Sequence, residues 1–159
     1  MSLLKRLKGL FESEEQRDAH DLLKQVRAFY TDAVHREHDL RQQAELAPHA
    51  AGRDGLRLLA DEEKEIAESF RQILQRLGTF AGDVHRAPEP SGALNYWARL
   101  TQNLEAHHRA INALLDESAL ATDGQPQIAD ELRQLAHRED AHCALLRGLI
   151  AKSDPHALD

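Results

Sequence analysis

The sequence holds a single cysteine, Cys143, in 159 residues, so it can form no internal disulfide and no thiolate zinc cluster. Aromatic residues make up only 4% of the chain, too few to build stacking platforms for single-stranded nucleic acid. Positive charge is in deficit as well. Twenty Lys and Arg face 27 Asp and Glu, for a net charge of −7 with ten histidines counted neutral. No basic run of useful size follows the first eleven residues, which excludes general nucleic-acid binding. No apolar run approaches the ~20 residues of a membrane span. "MSLLKRLKGLF" is followed by neither a continuous apolar stretch nor a small-residue cleavage site, so a secretory signal is not expected and a cytoplasmic location is. Alternating β-branched runs are missing, and with them the signal for strands. There is no glycine loop to cradle phosphate and no serine, histidine and acid arrangement, which argues against an ordinary kinase, dehydrogenase or hydrolase.

What remains is helix. Pro48, Gly52 and Gly55 form one cluster of breakers, Pro88, Pro90 and Gly92 a second, and Gly124 and Pro126 a third. The intervening segments are rich in Leu, Ala, Glu, Gln and Arg, all good helix formers. The pattern predicts four helices over roughly 16–47, 54–81, 92–119 and 126–151, with Ser91 capping the third and Pro126 in the first turn of the fourth. Fold class is therefore all-α, a single antiparallel four-helix bundle over 16–151. A short amphipathic segment precedes it at 1–12, and a polar tail follows at 152–159. The middle link, read as about ten residues at 82–91, reaches roughly 33 Å. A helix of about 28 residues is roughly 42 Å long. An up-down-up-down order is thus favoured, with the ferritin-like order and its long crossover as the alternative.

Each helix carries an apolar stripe, and each stripe is interrupted near its middle. In helix one, Leu22, Val26, Phe29 and Ala33 lead through Glu37 to Leu40, Ala44 and Ala47. In helix two, Leu56 and Leu59 lead through Glu63 to Ile66, Phe70, Ile73, Leu77 and Phe80. In helix three, Leu94, Trp97, Leu100 and Leu104 lead to His107 or His108 and then to Ile111 and Leu115, with Glu105 on the flank. In helix four, Ile128, Leu132 and Leu135 lead through Glu139 and His142 to Leu146 and Leu149. Equal distances from the turns place these intruders at one height. Unpaired carboxylates in a core are costly. Cations must neutralise them, or they must point outward.

The spacing resembles that of the ferritin-like, rubrerythrin-type carboxylate bundles. In these, two helices each supply one Glu and the other two each supply Glu-x-x-His. Glu37 and Glu63 match the single residues. Glu105 with His108, and Glu139 with His142, match the paired motifs, since residues three apart share a helix face. The resemblance spans the four-helix region. It implies a non-haem iron or manganese centre of paired ions and oxidase or ferroxidase-like chemistry. Tyr30, two turns before Glu37 on a nearby face, is placed to hydrogen-bond a ligating carboxylate or to stand as a redox neighbour of the metal. One departure stands out. The family's motifs usually fall on helices two and four, yet in "LADEEKEIAESF" Ile66 stands where the second-helix histidine would be. A hemerythrin-like bundle would want His-x-x-x-Glu or His-x-x-x-His on helices two and three, and these are missing. The alternative from a different class is a metal-free structural or interaction bundle whose polar layer fixes register.

Two further expectations concern partners. Amphipathic length and the spare N-terminal segment suggest a homo-oligomer, such as a dimer. Leu3, Leu4, Leu7, Leu10 and Phe11 on one side, with Lys5, Arg6 and Lys8 on the other, would suit contact with a membrane surface or a partner. Cys143 lies about 100° round the helix from His142 and reads as a buried, inert thiol.

Overall fold

The computed structural model describes residues 3–85 and 95–153, with side chains from residue 19 onward. Four helices account for almost all of it: α1 (Leu3–Leu46), α2 (Ala50–Arg76), α3 (Tyr96–Ala121) and α4 (Pro126–Ser153). The all-α four-helix bundle is what the stripes predicted. Among the described residues no helix is long and apolar enough to cross a membrane. The side chains of the N-terminal amphipathic stretch and the tail beyond Ser153 lie outside the described residues. The backbone of α1 is helical from Leu3 without a break.

Helix order differs from the favoured expectation. Two apolar clusters cap the two ends of the core. One joins Leu22, Val26 and Phe29 of α1 to Phe70, Ile73 and Leu74 of α2, and also takes in Leu114 of α3 and Ile128 of α4. The other joins Leu40 and Ala44 to Leu56 and Leu59, with Leu100 and Leu146. So α2 ends at the first cluster while α3 begins at the second. These two helices run parallel, and the order is up-down-down-up. The ferritin-like alternative is realised, with a crossover spanning the bundle. The helix boundaries account for the difference. Helix α2 stops at Arg76 and α3 starts at Tyr96. A link over 77–95 reaches roughly 60 Å, ample for a helix of roughly 40 Å. Its first part climbs beside α1: Arg27 donates to the Thr79 hydroxyl at 2.9 Å, and the His35 ring meets the His85 carbonyl at 3.0 Å.

Three local features set these boundaries. Gly78, at φ +81°, takes the left-handed position that closes α2. The Gly78 N–H bonds the Gln75 carbonyl and the Thr79 N–H bonds that of Leu74, a Schellman closure. Phe80, which continues the apolar period on paper, is left 81% exposed beyond it. Gly52 and Gly55, by contrast, lie inside α2. A Cβ on Gly52 would stand 2.9 Å from the Tyr96 hydroxyl, so the glycine marks a close approach to α3 rather than a turn. Asn95, not Ser91, caps α3, its side chain accepting from the Ala98 N–H at 2.8 Å.

Adjacent helix pairs around the ring are α1–α2, α2–α4, α4–α3 and α3–α1. Arg138 of α4 bonds Glu65 of α2 at 2.9 Å, and Arg76 of α2 pairs with Glu131 of α4. The diagonals are α1–α4 and α2–α3, and the polar layer forms across them.

Candidate metal centre

Between the two apolar clusters lies one polar layer. Glu63 on α2 and Glu139 on α4 are fully buried, as is His107 on α3, and His142 on α4 is 1% exposed. Arg36 on α1 completes the layer and is 8% exposed. Each carboxylate divides its oxygens between two partners. Glu63 Oε2 accepts from Arg36 Nε at 3.2 Å, and Glu139 Oε1 accepts from Arg36 Nη2 at 2.6 Å. The other two oxygens face the imidazoles. Glu139 Oε2 lies 2.6 Å from His107 Nδ1, and Glu63 Oε1 lies 3.1 Å from His142 Nδ1. The two rings meet edge to face, with centroids 5.5 Å apart.

One ligand atom from each of Glu63, His107, Glu139 and His142 falls within 4.8 Å of all the others. Metal–nitrogen and metal–oxygen bonds of about 2.0–2.2 Å put opposite ligands at most about 4.4 Å apart. Neighbouring ligand atoms of one ion stand about 3 Å or more apart, so the four would fit one ion after shifts of a few tenths of an ångström, the 2.6 Å contact between Glu139 and His107 opening and the widest pair closing. Outer partners suit that role. His142 Nε2 lies 2.7 Å from Glu62 Oε2, the carboxylate contact that commonly orients a ligating imidazole. His107 Nε2 is buried and has no hydrogen-bond partner.

Electrostatics follows from the same contacts. Burial works against the charged form of His142, yet hydrogen bonds to Glu139 and Glu63 push it up to about 9. Burial likewise opposes ionisation of Glu139, but hydrogen bonds with His107 and His142 and the Arg36 charge hold it well below the usual carboxylate range. The Arg36 guanidinium resists burial because Glu63 and Glu139 face it, and its pKa is raised.

Of the residues picked from the stripes, Glu63, Glu139 and His142 meet in this layer, and three others lie elsewhere. Glu37 is half-buried at the side of α1 and accepts from Arg41 at 2.8 Å. Its neighbour Arg36 takes the core position. Glu105 is exposed, and so is His108, whose Nε2 lies 3.2 Å from Arg147 Nη2. His107, one residue back, turns inward instead. Tyr30 is half-buried against the apolar cluster around Phe29 and Phe70. Ile66 is fully buried in that same cluster, one turn from Glu63. Arg36 is the layer member that no stripe named, and His107, which the third stripe offered beside His108, was not chosen as a ligand.

No protein-family model matches the sequence, and no curated protein does. The fold has a solved counterpart. The X-ray structure of Dps from Thermosynechococcus elongatus superposes with a TM-score of 0.77 at 16% identity, covering 90% of this chain and 98% of that one. The chain therefore has the ferritin-like four-helix fold.

Proposed function

We propose that the protein binds one divalent transition-metal ion, iron or manganese, in the polar layer of its ferritin-like bundle. Glu63, His107, Glu139 and His142 would be the ligands. The observation that carries this is the convergence of four buried donor atoms, two imidazole nitrogens and two carboxylate oxygens. Imidazole suits iron, and carboxylate suits manganese. With both imidazoles neutral, the layer holds two negative charges and the single positive charge of Arg36. One divalent ion overcompensates that deficit by one unit, and two would do so by three.

Arg36 favours one ion over two. In a two-ion carboxylate centre the second oxygen of each bridging carboxylate faces the second metal. Here Arg36 takes both of those oxygens. Ile66 and Arg36 offer no ligand on that side. A single ion favours one-electron chemistry over the two-electron steps of paired irons, so an oxidase or ferroxidase-like role would differ from that of a di-metal centre.

The test uses protein purified without a histidine tag. Elemental analysis and Fe(II) and Mn(II) titrations should give close to one ion per chain, with saturable binding. Replacing Glu139 and His142 together with Ala should abolish it. Bound metal should also raise the melting temperature of the wild type, since it binds only the native state.

A second reading has its own observation. Arg36 and a protonated His142 neutralise both carboxylates without any ion. On that reading the layer only fixes the register of a structural bundle. Wild type that takes up no metal under any loading would support it. On either reading a homo-oligomer is proposed, because Phe80 and Leu120 leave large apolar side chains exposed. A sedimentation run showing only monomer at high concentration would remove it.

A further inference from the structure

A cavity of about 430 Å³ opens between α1 and α3. Arg36, the same residue that holds Glu63 and Glu139, is part of its wall. Arg36 therefore touches both the cavity and the cluster. Small residues on α3, Ala106 and Ala110 among them, leave the space, and Phe70 lines it as well. Along its α1 wall stand Asp32, His35, Arg36 and Asp39. Asp32 and Asp39 flank Arg36 at four and three residues, the spacings at which side chains on a helix pair. Asp32 already contributes to the charge around the guanidinium. Arg109 is the fixed positive charge on the α3 wall.

We propose that this cavity is the port by which a divalent metal ion reaches the buried layer, with Arg36 as its gate. As the ion passes, the guanidinium transiently exchanges Glu63 and Glu139 for Asp32 or Asp39, and it returns to their second oxygens once the ion is seated. The incoming ion takes over the charge of the two core carboxylates, and Arg36 keeps an acidic partner throughout. Neither position leaves a buried charge unpaired, the condition that would otherwise make such a swing costly. Asp32 and Asp39 serve twice, drawing the cation in and receiving the arginine. The inference rests on the metal-binding reading.

Co(II) is the probe, because its visible absorption reports the ligand set. Uptake is followed by stopped flow at low ionic strength on the full chain. The combined Asp32→Asn and Asp39→Asn variant should load about tenfold more slowly, the lower end of the effect of charge steering. Its final absorbance should equal that of wild type. Arg109→Gln should load several-fold faster. Ala110→Trp, which fills the cavity, should load slowly to the same end point. Rates unchanged in all three, with normal end points, overturn the port and leave the binding site intact. A lost end point in the Asp variant also overturns it, since those residues would then be ligands. Wild type with no Co(II) spectrum overturns both the port and the site. Arg109 is exposed, so its variant keeps the test readable even where the others fail to fold.

Discussion

Arg36 and Glu139 lie 103 residues apart in the chain and meet at 2.6 Å across the bundle diagonal. The pair is buried, so its removal is not a surface matter. Arg36→Met should destabilise the metal-free protein by about 3–5 kcal/mol, the usual cost of leaving a buried charge without its partner. For a chain of this length that is a fall of roughly 10 °C in Tm. Thermal melts with and without Mn(II) check it. The metal should recover part of the loss, because it supplies the missing positive charge.

If the guanidinium stands in for a second ion, restoring ligands should restore that ion. Arg36→Glu combined with Ile66→His should raise the metal content from one ion per chain to two. Ile66 sits three residues after Glu63, on the same helix face. Equilibrium dialysis against Mn(II) measures the ratio, and a ratio that stays at one counts against the substitution idea.

Stability of the metal-free protein should depend on pH in a stated direction. His142 is raised from 6.5 to about 9 on folding. Its contribution is fully present below pH ~6.5 and is lost as pH rises through about 9, amounting to about 3 kcal/mol. Glu139 moves the other way, so its contribution is lost at acid pH. Urea unfolding with a chelator present should therefore show a maximum on the acid side of neutrality and a decline towards pH 9.5. His142→Gln should flatten the alkaline limb.

Cys143 is fully buried, and burial pushes its thiol up to about 11. At pH 8 it should resist iodoacetamide for hours in the native protein. In denaturant one thiol per chain should react within minutes, as read by mass spectrometry.

Gly78→Ala should cost about 1 kcal/mol, because the residue holds φ +81° at the closure of α2. The expected fall in Tm is roughly 3 °C. A Gly124→Ala control, at a glycine with a negative φ and open space around it, should change Tm much less.

The helices were legible in the sequence because four separate stripes repeat the helical period. The face of each stripe was less so, and by a margin of one residue. Between Ala33 and Leu40 either Arg36 or Glu37 fits a spacing of three and four. Between Leu104 and Ile111 the same holds for His107 and His108. Apolar pattern alone cannot separate residues 100° apart when both are polar. Choosing carboxylates favoured Glu37, whereas the core wanted a cation to answer Glu63 and Glu139. On α3 the buried face includes Asn103 and Ser118, so a search by hydrophobicity drifted towards Leu104 and Leu115. Leu115 proves 44% exposed. Helix order was misjudged for a different reason. Phe80 extended the period of α2 past its true end, which shortened the link on paper and made the crossover look too long to bridge.

The long connection between α2 and α3 divides the molecule into two helical hairpins, and this shapes how it assembles. Each hairpin supplies its own carboxylate with a hydrogen-bond partner on the face it will bury. Arg36 answers Glu63 within the first at 3.2 Å, and the second holds Glu139 against His107 at 2.6 Å. Both hairpins rest mainly on local contacts, which form quickly. They can then dock without carrying an unpartnered carboxylate into the interface. On docking, the partners are shared: Arg36 reaches Glu139, and His142 reaches Glu63. A slip of one helical turn, about 5.4 Å, would break both cross-pairs at once. The polar layer would therefore penalise any register other than this one, whether or not an ion is bound.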